Sequence, residues 1–519
     1  MSLARTYSIA FIGVVARVVE VQADLGAGIP GFTILGLPDA SVNEARERIK
    51  AAARNTGVPV ANRRLTLNLS PANVPKRGSA FDLAMLIAAL GADARVAVPP
   101  RTLFFAELGL DGTLRAVPGV LPAVLAASEH GIDHVVVAEA NAQEARLVPG
   151  IHVTGASHLS QVLIKLGVPC EDLRIVGRHE SSAAAPKAMR STQASADLAH
   201  VNGQCEAKQA LEVAAAGGHH MLLTGPPGSG KTLLARCLPG ILPPLDDDVA
   251  QQVTAIESLF AGAQGAIAKL RRTAPFVAPH HSSSVTALLG GGTGQLRAGA
   301  ITRAHAGVLF LDEAAEFATG VLDALRQPLE DGYIELARIH GAQQLPARFQ
   351  LFLATNPCPC GRNYGQGTGC ICTPNARRRY FARLSGPVLD RVDLQLSVQP
   401  VTGRDLLGSG SCESSAAVRD RVLLARKRAV RRLRPFGLRI NARVPGHVLR
   451  AELQYPRSTH RALSVLADTP DLSARGFDRV LRVAWSLADL DGAPAPDPTH
   501  LDRALMLRQR LDRAPKENR

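Results

Sequence analysis

The chain has 519 residues, of which 46% are hydrophobic and 20% are charged, which gives enough apolar side chains for the cores of several domains. Its formal net charge of +14 favours an anionic polymer or an acidic membrane surface as partner and disfavours a purely protein client, although an arginine-rich composition without a polymer partner is an alternative. No stretch reaches the roughly 18 apolar residues of a membrane span, and the first residues lack a secretory cleavage pattern, so we expect a cytoplasmic protein without a membrane partner.

Residues 1–175 carry the pattern of an α/β domain. Residues 18–23 and 65–69 alternate between apolar and polar side chains, as half-buried strands do, and residues 81–90 form an apolar helical stretch. From 176 to 199 the composition changes to serine, alanine and isolated charges, which indicates a linker. We therefore expect an independent N-terminal domain in front of the motifs that follow.

A glycine-rich loop follows the apolar run 221–223 and reads Gly225-Pro226-Pro227-Gly228-Ser229-Gly230-Lys231-Thr232. This is the G-x-x-x-x-G-K-[ST] pattern in the strand–loop–helix context that it requires. In such a loop the backbone N–H groups surround phosphate oxygens, the lysine reaches the β- and γ-phosphates, and the threonine hydroxyl binds Mg²⁺. The loop predicts that the chain binds ATP with Mg²⁺.

A second apolar run, residues 308–311, ends in two carboxylates, Asp312 and Glu313. Asp312 is suited to hold the metal ion with Thr232, and Glu313 is suited to polarise the attacking water. The alternative, a glycine-rich turn beside an ordinary core strand, leaves Lys231 and the acidic pair without a role. The two motifs in this order therefore predict nucleotide hydrolysis.

Asn356 follows a further apolar run, residues 351–355, and Pro357 then ends that strand. An amide at this place can orient water between the γ-phosphate and Glu313. The position resembles sensor 1 of an AAA+ ATPase, so we expect Asn356 to belong to the catalytic site.

Residues 384–394 resemble the segment that carries the arginine finger in magnesium-chelatase-like and replicative-helicase-like AAA+ proteins. The resemblance implies that Arg391 reaches the γ-phosphate of a neighbouring subunit, where its planar guanidinium stabilises developing charge. A finger acting between subunits implies a ring, and the family resemblance implies a homo-hexamer. A surface ion pair of Arg391 with Asp390 or Asp393 is the alternative.

Residues 473–479 resemble the sensor-2 element of AAA+ proteins, with Arg475 over the phosphates. Arg479 and Arg482 are expected to be surface or packing residues.

Upstream, residues 332–349 have the pattern of a β-hairpin, and similar AAA+ motors point such a hairpin into the central pore. Arg338 and His340 would then contact a translocating polymer, whereas a solvent-exposed hairpin without a ligand is the alternative.

Three groups of residues outside these motifs are further candidates for binding a metal ion or phosphates. Four cysteines, Cys358, Cys360, Cys370 and Cys372, are spaced C-x-C, nine residues, C-x-C, which suggests structural Zn²⁺, with free or redox-active thiols as the alternative. His280 and His281 are metal ligands or, more simply, polar loop residues. A helical apolar stripe between 418 and 433 leaves basic residues to face phosphates or solvent: Arg426, Lys427, Arg428, Arg431 and Arg432.

These residues together resemble the ComM/YifB-type competence proteins, a branch of the Mg-chelatase-related AAA+ ATPases. Supporting segments are 214–219, 279–282, 309–313, 347–350 and 484–492. The resemblance covers nearly the whole chain and implies an α/β protein with an AAA+ P-loop ATPase core at 200–400, an N-terminal Lon-protease-like α/β domain, and a C-terminal helical lid domain at 401–519.

The Lon-like domain lacks the catalytic pair of a protease. Residues 75–82 resemble the Lon segment around its nucleophile, whose position is Ala80 here, and the position of the catalytic lysine is Pro122. A Ser–Lys dyad needs a hydroxyl and an amine, and neighbouring Ser79 points about 100° away on a helix start. The resemblance therefore implies an inactive domain.

The family resemblance also implies the activity, that of an ATP-dependent hexameric helicase or branch-migration translocase. Its substrate would be branched or single-stranded DNA during recombination in natural transformation, with recombination proteins as candidate partners. The alternative is a chelatase-like remodeller that uses the same ATPase on a protein partner without DNA.

Overall fold

A computed structural model describes residues 3–171, 196–260, 267–291, 297–338, 341–365, 369–384, 386–401, 403, 413–468 and 472–508. The chain forms two compact units. The first contains residues 1–193, 247–271 and 336–343, and the second contains residues 194–246, 272–335 and 344–519.

In chain order the strands are β1 (Leu3–Ile12), β2 (Val15–Gly26), β3 (Gly31–Leu35), β4 (Arg64–Ser70), β5 (Thr102–Phe105), β6 (Glu107–Leu108), β7 (Leu114–Arg115), β8 (His134–Ala138), β9 (His152–Ala156), β10 (Met221–Thr224), β11 (Phe276–Val277), β12 (Gly290–Gly291), β13 (Arg297–Ala298), β14 (Val308–Leu311), β15 (Tyr333–Arg338), β16 (Gly341–Pro346), β17 (Gln350–Thr355) and β18 (Leu394–Ser397).

The α-helices are α1 (Ala40–Asn55), α2 (Asp82–Ala92), α3 (Val120–Glu129), α4 (Glu139–Ala145), α5 (Leu159–Lys165), α6 (Cys205–Gly217), α7 (Lys231–Ile241), α8 (Asp247–Phe260), α9 (Val285–Leu289), α10 (Ala300–Arg303), α11 (Thr319–Asp323), α12 (Arg326–Asp331), α13 (Pro374–Ala382), α14 (Gly386–Leu389), α15 (Ser415–Leu433), α16 (Arg457–Ala467), α17 (Ala474–Asp491) and α18 (Pro498–Met506). Among the described helices, none is long and apolar enough to cross a bilayer.

The first unit is built on a seven-stranded mixed sheet with the order β3-β4-β2-β1-β5-β8-β9. Strands β1, β2 and β4 pair antiparallel, and the remaining neighbours pair in parallel. Helix α2 is almost entirely apolar and is buried beside this sheet. Its one buried carboxylate, Asp82, accepts hydrogen bonds from Arg48 on α1 at 2.7 and 3.0 Å. Burial raises the pKa of Asp82 to about 6 although Arg48 opposes the shift.

Ala80 and Pro122, which the resemblance to Lon proteases places at the two catalytic positions, lie in this first unit. Ala80 packs at the edge of a hydrophobic cluster, and Pro122 is buried in the first turn of α3. The hydroxyl of Ser79 donates a hydrogen bond to the carboxylate of Glu107. The hydroxyl next to the expected nucleophile position therefore has a partner of its own within the fold.

Helix α8 belongs to the first unit, although its residues lie within the stretch that the sequence assigns to the ATPase core. It packs against α3, where the backbone N–H of Gly119 donates to the carbonyl of Ser258 at 3.1 Å. The hydroxyl of Ser258 donates to the buried carboxylate of Glu144, whose pKa is raised by burial. The domain limits at 175 and 400 stay predictions.

The second unit contains a five-stranded parallel sheet with the order β11-β14-β17-β10-β18. Its central strands β10, β14 and β17 are buried along their full length, as parallel strands covered on both faces are. Helices α15 to α18 follow the sheet in sequence, and the core of this unit includes side chains from α15, α17 and α18. The expected α/β class, with a parallel P-loop sheet and a C-terminal helical region, is confirmed.

A buried ionic network joins the C-terminal helices to this sheet. Asp393, which directly precedes β18, accepts a hydrogen bond from Arg479 on α17 at 2.6 Å. Its second oxygen lies 3.1 Å from Nδ1 of His219, whose Nε2 lies 2.7 Å from the hydroxyl of Ser486. Burial alone would raise the pKa of Asp393, but the charge of Arg479 and the contact with His219 outweigh burial and hold this pKa well below its usual range.

We expect Asp393→Asn to lower the free energy of unfolding of the second unit by about 3–5 kcal/mol, because it leaves Arg479 buried without its counter-charge. Trp485, the single tryptophan of the chain, is buried on α17, so its fluorescence in urea reports this unit. The matched control is Asp390→Asn, an exposed aspartate three residues earlier, for which we expect a change within about 0.5 kcal/mol. Equal urea midpoints for the two variants would contradict a stabilising network.

Candidate nucleotide-hydrolysis site

Three neighbouring parallel strands end at the same edge of the sheet in the second unit, and each continues into a motif residue. Strand β10 leads into the glycine-rich loop, β14 leads into Asp312, and β17 leads into Asn356. Because β17 lies between β10 and β14, the carboxyl ends of all three strands meet. The topology thus brings together residues that are far apart in sequence, such as Lys231 and Asn356, which are separated by 125 positions.

The loop from Gly225 to Gly230 has the backbone shape that its glycines permit. Gly228 and Gly230 have φ angles of +78° and +84°, in the left-handed region that side chains rarely adopt. Helix α7 begins at Lys231 directly after this turn. The first N–H groups of a helix lack intrahelical partners, so the loop and α7 together present backbone donors suited to phosphate.

Lys231 is almost fully buried, and its ammonium group is directed into the loop. Its Nζ donates to the carbonyl oxygens of Gly225 and Pro226 at 2.7 and 2.8 Å. The amide oxygen of Asn356 lies 3.5 Å from the same Nζ. Burial lowers the pKa of Lys231, and the nearby carboxylates of Asp312 and Glu313 oppose that shift. The predicted phosphate lysine and the predicted sensor-1 amide therefore face each other.

The predicted metal ligands are in contact. The hydroxyl of Thr232, at the start of α7, donates to the carboxylate of Asp312 at 2.8 Å. A hydroxyl and a carboxylate are the hard oxygen ligands that Mg²⁺ prefers, and Mg²⁺ sites in nucleotide enzymes use few protein ligands. The donor set thus fits Mg²⁺ at this position.

Glu313 adopts a backbone conformation that is uncommon for a side-chain-bearing residue, with φ of +51°. Its side chain is half exposed, and one carboxylate oxygen lies 3.3 Å from Nδ1 of His281. The contact has a simple origin: β11 pairs in parallel with β14, so the loop after β11 ends beside Glu313. The sequence predicts that His280 and His281 are metal ligands or polar loop residues, and it does not indicate the contact with Glu313.

Arg391 is held by its own chain in this structure. Its guanidinium donates to the carbonyl of Pro387 at 2.6 Å and pairs with Glu330 at the end of α12, leaving 12% of the side chain exposed. The alternative of a pair with Asp393 is wrong, because Asp393 pairs with Arg479. The finger role of Arg391 stays a prediction, and that role requires the Glu330 pair to open.

The sensor-2 candidate lies in the first turn of α17. Arg475 is exposed there, and Ser473 caps the helix by accepting from the backbone N–H of Gly476 at 3.1 Å. Its role over the phosphates stays a prediction. Arg479, expected to be a surface or packing residue, is a packing residue: it forms the buried pair with Asp393, a partner that the sequence alone does not indicate.

The four cysteines are brought together. The Sγ of Cys358 lies 3.3 Å from that of Cys360 and 3.7 Å from that of Cys370, and the Cys360–Cys370 distance is 3.8 Å. Cys372 completes the group, whose four sulfurs all lie within 4.8 Å of one another. A hydrogen bond from the backbone N–H of Arg362 lowers the pKa of Cys360 to about 6, whereas burial raises that of Cys358 to about 12.

The candidate polymer contacts receive less support from the structure. Strands β15 and β16 form the expected two-stranded hairpin, and Arg338 ends β15, but His340 lies outside the described residues.

On the basic helix α15, three of the side chains expected to face phosphates contact other parts of the fold; one of them is the exposed Arg428, which donates to the carbonyl of Asp489 at 2.5 Å. Arg426 donates to the carbonyl of Ala215 at 2.6 Å, and burial lowers its pKa to about 10. Arg432 pairs with Asp489 and lies 4.2 Å from the ring centroid of Trp485. The expectation of phosphate contacts is therefore wrong for Arg426 and Arg432, and the exposed basic residues of α15 named in the sequence analysis are Lys427, Arg428 and Arg431.

Comparison with known proteins gives matches along most of the chain. Residues 197–406 match the family model "Magnesium chelatase, subunit ChlI", residues 20–141 match "Subunit ChlI of Mg-chelatase", and residues 412–508 match the C-terminal model of the same subunit. Protein Rv2897c of Mycobacterium tuberculosis is 47% identical over 511 residues, 98% of this chain and 99% of that protein.

Two further relatives carry the names that the sequence resemblance suggested. YifB of Salmonella typhimurium is 39% identical over 511 residues, 98% of this chain and 97% of that protein. Competence protein ComM of Haemophilus influenzae is 39% identical over 508 residues, 97% of each chain. The chain belongs to the ComM/YifB family of Mg-chelatase-related proteins. In this ComM/YifB protein the glycine-rich loop, Asp312, Glu313, Asn356 and Arg391 all lie within the stretch that matches the first family model.

Proposed function

We propose that this ComM/YifB protein is an ATP-driven DNA motor that promotes branch migration or unwinding in the cytoplasm, during recombination of incoming DNA in natural transformation. The observation that supports it is the meeting of Lys231, Thr232, Asp312 and Asn356 at one edge of a parallel sheet. Two contacts between side chains, Lys231 to Asn356 and Thr232 to Asp312, join the ends of the three strands. This arrangement suits triphosphate binding and hydrolysis.

Within the site each side chain has a distinct task. Lys231 and the backbone N–H groups of the loop bind the phosphates, and Thr232 with Asp312 would hold Mg²⁺, which neutralises charge on the phosphate oxygens when bound. Glu313 accepts a proton from the attacking water, since its half-exposed carboxylate reaches out of the strand end. Asn356 orients that water next to the γ-phosphate.

The assembly that we propose is a homo-hexamer in which Arg391 of one subunit completes the site of the next. Arginine suits this task because its charge is permanent and its fork binds two phosphate oxygens at once. Arg475 lies in the first turn of α17 and would contact the phosphates from the helical region of its own chain.

The net charge of the chain and the name of one relative support DNA as the polymer. The net charge of +14 favours a polyanion, and the Haemophilus influenzae relative is named a competence protein. Arg338 at the end of β15 and His340 beyond it are the proposed contacts. Recombination proteins are candidate partners in the same process.

We further propose that Cys358, Cys360, Cys370 and Cys372 bind structural Zn²⁺. A tetrahedral ion with Zn–S bonds near 2.3 Å separates its sulfurs by roughly 3.8 Å. Two of the observed separations, 3.7 and 3.8 Å, agree with that geometry. Four thiolates leave no open position, so the ion would stabilise the fold and take no part in chemistry.

The second candidate function is an ATP-driven protein remodeller, which the matches to magnesium chelatase subunit models favour. The two functions are distinguished by measuring ATP hydrolysis with branched, single-stranded and double-stranded DNA, together with a three-strand exchange assay. A DNA motor hydrolyses ATP faster with branched or single-stranded DNA and extends the heteroduplex only with ATP. Lys231→Ala is the negative control.

Hydrolysis that no DNA stimulates, together with failed strand exchange, would contradict the DNA motor and favour the remodeller. Absence of hydrolysis under every condition would contradict both candidates. Salt adds a check: DNA binding that rests on phosphate contacts weakens steeply as salt rises, whereas a flat response contradicts those contacts.

A further inference from the structure

The loop that carries the four cysteines touches the phosphate-binding loop. Gly361, directly after Cys360, has φ of +73° and is buried. A Cβ atom at this position would lie 2.6 Å from Cδ and 2.8 Å from Cγ of Pro227. Such distances are far inside van der Waals contact, so the backbone at Gly361 rests against the proline ring with no room for a side chain.

Both ends of this loop lie near the carboxyl end of β17, at the edge of the sheet that carries the candidate site. It begins two residues after Asn356, the residue whose amide faces Lys231. It returns through α13, where the hydroxyl of Tyr380 lies 3.4 Å from that of Thr355, the last residue of β17. The cysteine cluster is therefore continuous with the sensor-1 end of the site and in contact with its phosphate-binding end.

Within the loop, backbone contacts fix the turn that bears the cysteines. The N–H of Gly361 donates to the carbonyl of Cys358 at 2.9 Å, and Arg377 on α13 donates to the side chain of Asn363 at 2.9 Å. A metal bound to the four sulfurs would lock this turn, because metal-binding free energy is then spent on ordering the loop.

We propose that metal binding at the four cysteines and nucleotide binding at the glycine-rich loop reinforce each other through the Gly361–Pro227 contact. This inference rests on the proposed binding of nucleotide and of Zn²⁺ and adds a coupling between them. A metal-loaded cluster holds Pro227 and Asn356 in place, so less ordering is left for the nucleotide to impose. Coupling of this kind is reciprocal, and typical values change affinity about 5- to 150-fold.

The decisive variant is Gly361→Ala in the full-length chain, because the added methyl group must displace Pro227. Its matched control is Gly365→Ala in the same loop, at φ of +57°, where a Cβ would meet no atom within 4 Å. Both substitutions strain a left-handed turn, but only the first alters the contact with the phosphate-binding loop. Zn²⁺ content is measured by elemental mass spectrometry, and nucleotide affinity is measured with a fluorescent ATP analogue.

We expect both variants to retain Zn²⁺, and the Kd for the analogue to rise at least about 5-fold in Gly361→Ala alone. In the wild-type protein, removal of Zn²⁺ by a chelator should weaken analogue binding, and saturating ATP should slow Zn²⁺ release to the chelator. The Kd of Gly361→Ala should respond less to Zn²⁺ removal than that of the wild type.

The inference fails if Gly361→Ala binds the analogue as tightly as Gly365→Ala, or if ATP leaves the rate of Zn²⁺ release unchanged in the wild type. If Gly361→Ala loses Zn²⁺, the wild-type release rates alone decide the matter. A wild-type protein that binds the analogue with the same Kd with and without Zn²⁺ contradicts the coupling and leaves the proposed ATPase intact. A protein that binds no nucleotide overturns the proposed function itself.

Discussion

Replacement of Glu313 by glutamine is expected to stop ATP turnover while leaving ATP bound. Glutamine keeps the size of the side chain and its contact distance to His281, but its amide cannot accept a proton from water. General-base catalysis contributes about 10²- to 10⁴-fold, so kcat should fall at least about 100-fold. Lys231, Thr232 and Asp312 are untouched, and the Kd for a fluorescent ATP analogue should stay within about 2-fold.

The matched control is Glu316→Gln, three residues further along. Glu316 pairs with Arg383 at 3.3 Å on the exposed surface, and exposed pairs of this kind contribute little to stability. We expect kcat near the wild-type value for this variant. Hydrolysis that persists in Glu313→Gln, or that falls equally in both variants, would mean that another group accepts the proton.

Most residues of the candidate site could be predicted from the sequence, because they lie in loops that directly follow recognisable strands. The apolar runs at 221–223, 308–311 and 351–355 all lie in buried parallel strands. At the same edge of the sheet, the first strand leads into the glycine-rich loop, and Asp312 and Asn356 follow the other two. The physical reason is local: a buried parallel strand needs a continuous apolar run, and its carboxyl end is where a polar side chain can leave the sheet.

Contacts between segments distant in sequence could not be predicted in this way. Asp393 reads as one more acid beside Arg391, yet the fold buries it against Arg479, 86 positions later. Glu330 likewise gives no local signal that it is the partner of Arg391. Periodicity shows which face of a helix is buried, but it does not show which charge on another element meets that face.

The basic helix α15 shows that the contacts of charged side chains are equally hard to predict from the sequence. The predicted apolar stripe of residues 418–433 is confirmed, since its members are buried: Val418, Val422, Ala425, Ala429 and Leu433. Arg426 and Arg432 flank that stripe and cover apolar and carbonyl groups of neighbouring elements. Long side chains can lie along a packed surface with their charge at its border, so the net charge overstates the number of basic residues that are available to bind a polyanion.

The arginine-finger prediction has a test that separates action between subunits from action within one. Arg391→Ala should lower ATP hydrolysis about 10³-fold or more, the effect that such arginines have in related phosphoryl transfer. Lys231→Ala should also be inactive, because it cannot bind the β- and γ-phosphates. In a ring that contains both variants, each active site lies between two adjacent subunits. Such a site is complete where one subunit supplies the intact Lys231 and its neighbour supplies the intact Arg391.

Equimolar mixing of the two inactive proteins should therefore restore activity. If subunits mix at random in a head-to-tail ring, roughly a quarter of the active sites between subunits are complete. Glu330→Gln is the matched control: it removes the charge that holds Arg391 within its own chain and leaves the guanidinium free to reach a neighbour. We expect this variant to hydrolyse ATP at least as fast as the wild type.

Activity that stays absent after mixing would assign Arg391 to its own subunit and contradict the ring. The structure makes this outcome informative, because the Arg391–Glu330 pair already gives the side chain an internal place. If that pair were the whole role of Arg391, Glu330→Gln and Arg391→Ala would have similar effects on hydrolysis. A large loss in Arg391→Ala with none in Glu330→Gln requires a second partner for the guanidinium, and recovery on mixing places that partner on the adjoining subunit.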